Sequence, residues 1–151
     1  MKKVGSLGEQ LTKRWLQLQN YELLEQNWRC RWGEIDLIVW DKASSAIAFV
    51  EVKTRSRYNW DEDGFSAIDS IKQQKIVQTA SLYLAKHPQL AELPCRFDVA
   101  LVRYSKLSEP VDPSSIDFQQ ITQLNLGQPV VCDRYQLVLA NYLRSAFDLS
   151  S

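Results

Sequence analysis

Two short runs, EIDLIVWD at residues 34–41 and AIAFVEVK at 46–53, constrain this chain more than any other part of it. Both alternate, and successive side chains on a strand point to opposite faces. In the first run Ile35, Leu37 and Val39 share one face, and Glu34, Asp36, Ile38 and Trp40 the other. In the second, Ala48, Val50 and Val52 oppose Ile47, Phe49, Glu51 and Lys53. The residues between them, KASS, are few and polar, which predicts a hairpin.

If Asp41 faces Ala46, then Leu37 meets Val50, Ile35 meets Val52, and the apolar faces coincide. A slip of one residue would turn one apolar set outward, so the register is strongly specified. That register also sets Asp36 opposite Glu51 and Glu34 opposite Lys53, with Cβ atoms roughly 4.5–5.5 Å apart. Opposed carboxylates repel unless a proton or a cation is shared between them. A hard divalent ion, Mg²⁺ or Mn²⁺, suits such a pair and leaves coordination positions for water and phosphate oxygens. Asp36 and Glu51 are therefore candidate metal ligands, and Lys53 beside them offers a point charge to an anionic substrate. The competing explanation is a salt-bridged solvent face, since an E-x-K pattern recurs by chance. Asp36 in register is what favours the metal site.

The other elements are read around this hairpin. Residues 6–19 carry Leu7, Leu11, Trp15 and Leu18 at helical spacing, with Ser6 and Glu9 as a capping-box pair. A strand is expected at 21–28. The segment 56–65 has no usable period and carries Tyr58 and Trp60, aromatics able to stack on a base or to anchor their own loop. A long helix is expected at 66–86, opened by Ser66 with Asp69 and stopped by His87 and Pro88. A strand follows at 96–104, then a connector rich in Pro and Ser, a strand at 116–124, and a closing helix within 135–147. The order predicts an α/β fold: a mixed central sheet flanked by helices, in one domain spanning 1–151.

Composition excludes several chemistries. Net charge is zero, so a polyanion must be held by a local patch. The three cysteines are far apart and form no CxxC, so neither a disulfide framework nor a thiolate zinc site is encoded. The one histidine, His87, precedes a proline at a helix end, which leaves acid, base and ligand work to carboxylates and lysines. No apolar stretch approaches the length of a signal peptide or a membrane span, and a cytoplasmic location is expected.

The acid, hairpin and E-x-K resemble the PD-(D/E)xK nuclease superfamily. The resemblance extends to Gly8 and Glu9 on a helix, NWRCRWGEIDLI at 27–38, FVEVKTR at 49–55, a helix bearing lysines, and RFDV at 96–99. Together these resemble the YraN-like family of bacterial proteins, which is similar in turn to archaeal Holliday-junction resolvases. The landmarks cover residues 5–104, and SAF at 145–147 resembles the family's last helix. The connector at 105–134 is longer than the family pattern, and Thr12 stands where the family has alanine.

The resemblance implies a restriction-endonuclease-like α-β-β-β-α-β core. It implies Asp36 and Glu51 as metal ligands, Lys53 as catalytic lysine, and Glu9 as an additional catalytic acid. Spacing alone explains Glu9 equally well as a solvated or capping residue. Lys72 and Lys75 fall on the apolar arc of the second helix, where they either line a phosphate-binding cleft or reach to its rim. Arg29, Arg31, Arg55 and Arg57 cluster at strand ends and extend a basic track for nucleic acid, or are scattered surface residues. The expected activity is metal-dependent hydrolysis of DNA selected by shape: a junction, flap or end. The rival is a nucleic-acid-binding or scaffolding protein without turnover. A symmetric junction would call for a homodimer, and no membrane partner is expected.

Overall fold

In the computed structural model, residues 3–58, 69–109 and 117–147 are described. Helix α1 (Val4–Leu18) leads into β1 (Tyr21–Cys30), β2 (Gly33–Asp41) and β3 (Ala46–Ser56). Helix α2 (Ser70–Lys86) follows, then β4 (Cys95–Lys106), β5 (Pro129–Cys132) and β6 (Tyr135–Phe147). One sheet holds all six strands in the order β1-β2-β3-β4-β6-β5. Only β3 and β4 run parallel; every other neighbouring pair is antiparallel. The expected α-β-β-β-α-β order and mixed sheet are both present.

The two helices cover opposite faces. Leu7, Leu11 and Leu16 of α1 pack with Leu37, Val39 and Val50, while Ala80 and Tyr83 of α2 pack with Ile38, Ile47 and Phe49. Central β3 is buried on both sides from Ala46 to Val50, which is why that stretch is an unbroken apolar run. The hairpin register is the one the apolar pattern requires, from Leu37 with Val50 to Asp41 with Ala46.

Several expectations give way. Helix α1 starts at Val4 with Lys3 as its N-cap, so Ser6 lies inside the first turns and forms no capping box with Glu9. Helix α2 starts at Ser70, and the Asp69 carboxylate itself caps it by accepting from the Lys72 N–H; Ser66 lies outside the described residues. Ile35 joins the α2-side cluster rather than sharing a face with Leu37, because the β2/β3 ladder ends at Leu37 and the alternation is interrupted there. The closing segment 135–147, SAF included, is a strand, not a helix. Its Leu137 and Leu139 are buried two residues apart, and its backbone pairs with β4 from Lys106 to Phe97. Tertiary pairing thus overrides the helical propensity of its Leu, Ala and Arg residues. Of the expected strand at 116–124, the described residues 117–124 form a 3₁₀ turn, Phe118–Gln120, and no strand, and the pairing falls instead to β5.

A polar network ties β1, β2, β4 and β6 together at the end of the sheet where the β2–β3 turn lies. Arg96 Nε donates to both carboxylate oxygens of Asp98 at 3.1 Å, while its other nitrogens reach Asp41 and the Tyr21 hydroxyl, each at 2.9 Å. Asp98, 1% exposed, also accepts from the Tyr142 hydroxyl at 2.6 Å and from the Ser145 N–H at 3.0 Å. Ser145 adopts a left-handed φ of 52° in making that bond. His87 ends α2 with Nδ1 2.8 Å from the Tyr83 carbonyl oxygen, and the three cysteines are free. No helix among the described residues is long and apolar enough to cross a membrane.

Candidate functional site

Beyond Leu37 and Val50 the sheet forks. β2 stays with β1 as far as Gly33 and Cys30, whereas β3 stays with β4 as far as Ser56 and Tyr104. Asp36 sits in the opening. Its Oδ2 accepts from the Val52 N–H at 2.7 Å, so a side chain satisfies a backbone donor that no β2 carbonyl reaches. The β2/β3 ladder thus stops one rung short of the expected Asp36–Glu51 opposition, while Glu51 stays close enough to act on the Asp36 carboxyl. Glu34 does not meet Lys53 either: its Oε2 lies 2.7 Å from Arg29 Nε, on the other side of its own hairpin.

Lys53 is almost fully buried and its ammonium donates to Glu51 Oε1 at 3.2 Å. Glu9 arrives from α1, and the reason lies in the residue before it. Gly8 rests so closely on β3 that a Cβ there would run into the Thr54 Oγ1. Bare backbone at Gly8 lets α1 settle on the strand just past the fork, with Glu9 half-buried beside the opening. Thr12 is buried as well, its hydroxyl donating to the Gly8 carbonyl at 2.9 Å, so it is accommodated without an unpaired polar atom.

Asn27 completes the constellation. It has a left-handed φ of 53° where the β1/β2 ladder skips from Gln26 to Trp28. With its amide turned so that the nitrogen faces the acids, it donates to Glu9 Oε1 and to Glu34 Oε1, each at 2.8 Å. One amide therefore bridges a helix carboxylate and a strand carboxylate.

Four carboxylates, Glu9, Glu34, Asp36 and Glu51, thus crowd the fork against two directly paired cations, Arg29 and Lys53. Burial pushes the Asp36 carboxyl up to about 8, with Glu51 the next contributor; the Val52 N–H opposes this while Glu9 and Glu34 add to it. Glu9 is raised too, first by burial and then by Glu34, against the Asn27 hydrogen bond. These are hard oxygen donors whose mutual repulsion a divalent cation would relieve, so the residues fit an ion of the Mg²⁺ or Mn²⁺ kind. Among the described residues no group of three or more acidic, cysteine or histidine side chains is arranged to hold a metal ion.

Glu51 also opens onto a cleft of about 150 Å³ on the α2 side. Lys72, Lys75, Ile76 and Thr79 of α2 form one wall, facing Glu51, Glu34 and Trp32. Lys72 and Lys75 therefore share a cleft with the fork, as their place on the apolar arc of α2 suggests. Arg29 stands at its rim through Glu34, and Arg31 stacks on Trp32 at 4.7 Å from the ring centroid. Arg55 instead donates to the Thr54 carbonyl, and Arg57 lies over Tyr58; neither lines the cleft. Trp60 lies outside the described residues.

Sequence reasoning missed Asn27, Glu34 and Trp32 as parts of this site. An asparagine inside an otherwise extended run was the available sign for the first, since Asn tolerates φ above zero better than most residues. Glu34 and Trp32 gave no such sign, because their neighbours depend on where the ladder stops.

The model of the uncharacterised protein family UPF0102 matches residues 8–102, a span that includes Glu9, Asp36, Glu51 and Lys53. Similar chains include a UPF0102 protein of Acaryochloris marina, 46% identical over 157 residues, with 97% of this chain and 90% of that one covered. Another, from Trichodesmium erythraeum, is 44% identical over 158 residues, covering 95% and 87%. A third, from Synechocystis, is 44% identical over 149 residues, covering 97% and 99%. The chain belongs to the UPF0102 family, the YraN-like family whose landmarks its sequence carries.

Proposed function

We propose that this chain is a metal-dependent nuclease that hydrolyses DNA phosphodiester bonds, choosing a junction, flap or end by shape rather than by sequence. One observation carries the reading: the fork gathers Asp36, Glu51, Lys53 and Glu9 from three elements beside a cleft whose far wall bears Lys72 and Lys75. Crowded acids beside basic side chains suit a cation and a phosphate together, whereas a solvated salt-bridge surface would need no such convergence.

Asp36 and Glu51 would hold the cation, which when bound supplies Lewis acidity toward water and a phosphoryl oxygen. Lys53, already buried against Glu51, sets a fixed positive charge beside the phosphoryl group as negative charge develops on it. Glu9, with its proton affinity raised by burial, accepts a proton from the attacking water or orients it. Lys72 and Lys75 hold flanking phosphates as point charges. Nothing in the sequence resembles a base-reading module, which favours selection by shape.

A second reading, a binding or scaffolding protein without turnover, is favoured by the partners that three of the acids already have: Val52 N–H, Lys53 and Arg29. The deciding experiment offers linear, flapped and four-way DNA to the pure protein under Mg²⁺ and Mn²⁺. Cation-dependent cleavage is expected, reduced at least about a hundredfold by Asp36→Asn. Binding without cleavage under either ion would leave the second reading. Sedimentation of the protein with the four-way substrate tests whether a homodimer forms on it.

A further inference from the structure

We propose that Trp32 is a stacking platform for an unpaired nucleobase, so that the DNA taken carries an unstacked nucleotide beside the phosphates held by Lys72 and Lys75. The inference rests on the nucleic-acid reading above and names the feature of the substrate that the site would select.

The first observation is position. Trp32 lines the same cleft as Glu51, Lys72 and Lys75, which places an indole, two ammonium groups and two of the fork's acids, Glu34 and Glu51, around one space. Those are the contacts one nucleotide needs: an aromatic face for its base and cations for its phosphates. The second is exposure. Trp15 and Trp28 pack into the two cores and Trp40 is half-buried, whereas Trp32 is 40% exposed. Tyr58, one of the two aromatics able by sequence either to stack on a base or to anchor its loop, is more exposed still but does not line the cleft.

The third observation is rigidity. Arg31 and Trp32 alone join β1 to β2, between the terminal rung of Cys30 and Gly33. The Trp32 N–H donates to Cys30 Sγ at 3.4 Å, and Gly33 has a φ of 151°, a conformation open to glycine and few other residues. The Arg31 guanidinium lies over one face of the indole at 4.7 Å, which puts a positive charge beside the platform and leaves the opposite face for the base. A platform held this way loses little freedom when a base settles on it.

The test uses the full chain with Asp36→Asn to suppress cleavage, and flapped DNA carrying 2-aminopurine at successive unpaired positions. Quenching is expected at one position, near the branch. It should persist in Trp32→Phe and vanish in Trp32→Leu, with flap affinity about tenfold lower and affinity for continuous duplex unchanged. Thermal unfolding of each variant checks that the exposed substitution leaves the fold intact. Undiminished quenching in Trp32→Leu, an equal loss for flap and duplex, or no binding of any DNA by the parent overturns the proposal. Because cleavage is not the readout, Trp32-dependent quenching in a chain that never cuts would sink the nuclease reading alone. Cutting that is indifferent to Trp32→Leu would sink this inference alone.

Discussion

Asp36 concentrates the chemistry of the fork in one side chain. Its carboxyl is raised above the ordinary aspartate range by burial and by Glu51, so the folded chain without a cation keeps a proton that the unfolded chain releases near pH 4. With more protons bound when folded, the contribution of this carboxyl to stability is greatest below about pH 4 and falls as pH rises toward about 8. Asp36→Asn should flatten most of that slope, leaving the part due to Glu9, and, with no divalent ion present, exceed the parent by about 2 kcal/mol at pH 8. Mg²⁺ or Mn²⁺ should narrow the gap. Urea titrations across the range check this, and a parent curve flat from pH 4 to 8 would contradict the crowding. The acids were legible in the sequence because register follows from the apolar pattern. What they touch was not: the pairing of Glu34 with Arg29, and of Asp36 with a backbone N–H, follows from the ladder stopping at Leu37.

At the level of elements, the site depends on how α1 lies on β3. Gly8→Val would force the helix off Thr54, displacing Glu9 and the buried Leu7 and Leu11 together. The expected cost is about 1–3 kcal/mol in chemical unfolding, with cleavage reduced beyond what the lost stability explains. An isolated Gly8→Ala is a milder form of the same test. The hairpin was readable because both its faces are buried, so one register satisfies both. The C-terminal strand was not, because its alternation is interrupted by the irregularities opposite Phe97–Val99 and Leu101–Val102. Leu137 and Leu139 keep strand spacing, but the segment as a whole has the composition of a helix.

Across the whole molecule, the polar network around Arg96 fastens the end of the sheet remote from the fork. Arg96→Leu would leave Asp98 and Asp41 buried without their cation, and a loss of about 3–5 kcal/mol in urea unfolding is expected. In the sequence Arg96 and Asp98 are only part of the RFDV landmark; their partners, Tyr21, Tyr142 and Ser145, come from strands far apart in the chain. The single parallel pairing, β3 with β4, has a further consequence. The first helix and three strands join by short connections and can assemble early, but β4 cannot dock until the chain has travelled through α2 and closed a long loop. Completion of the sheet by β4 should therefore be the slow step of refolding. A chain arrested before it would expose the flank of β3, leaving an unsealed, aggregation-prone nascent intermediate.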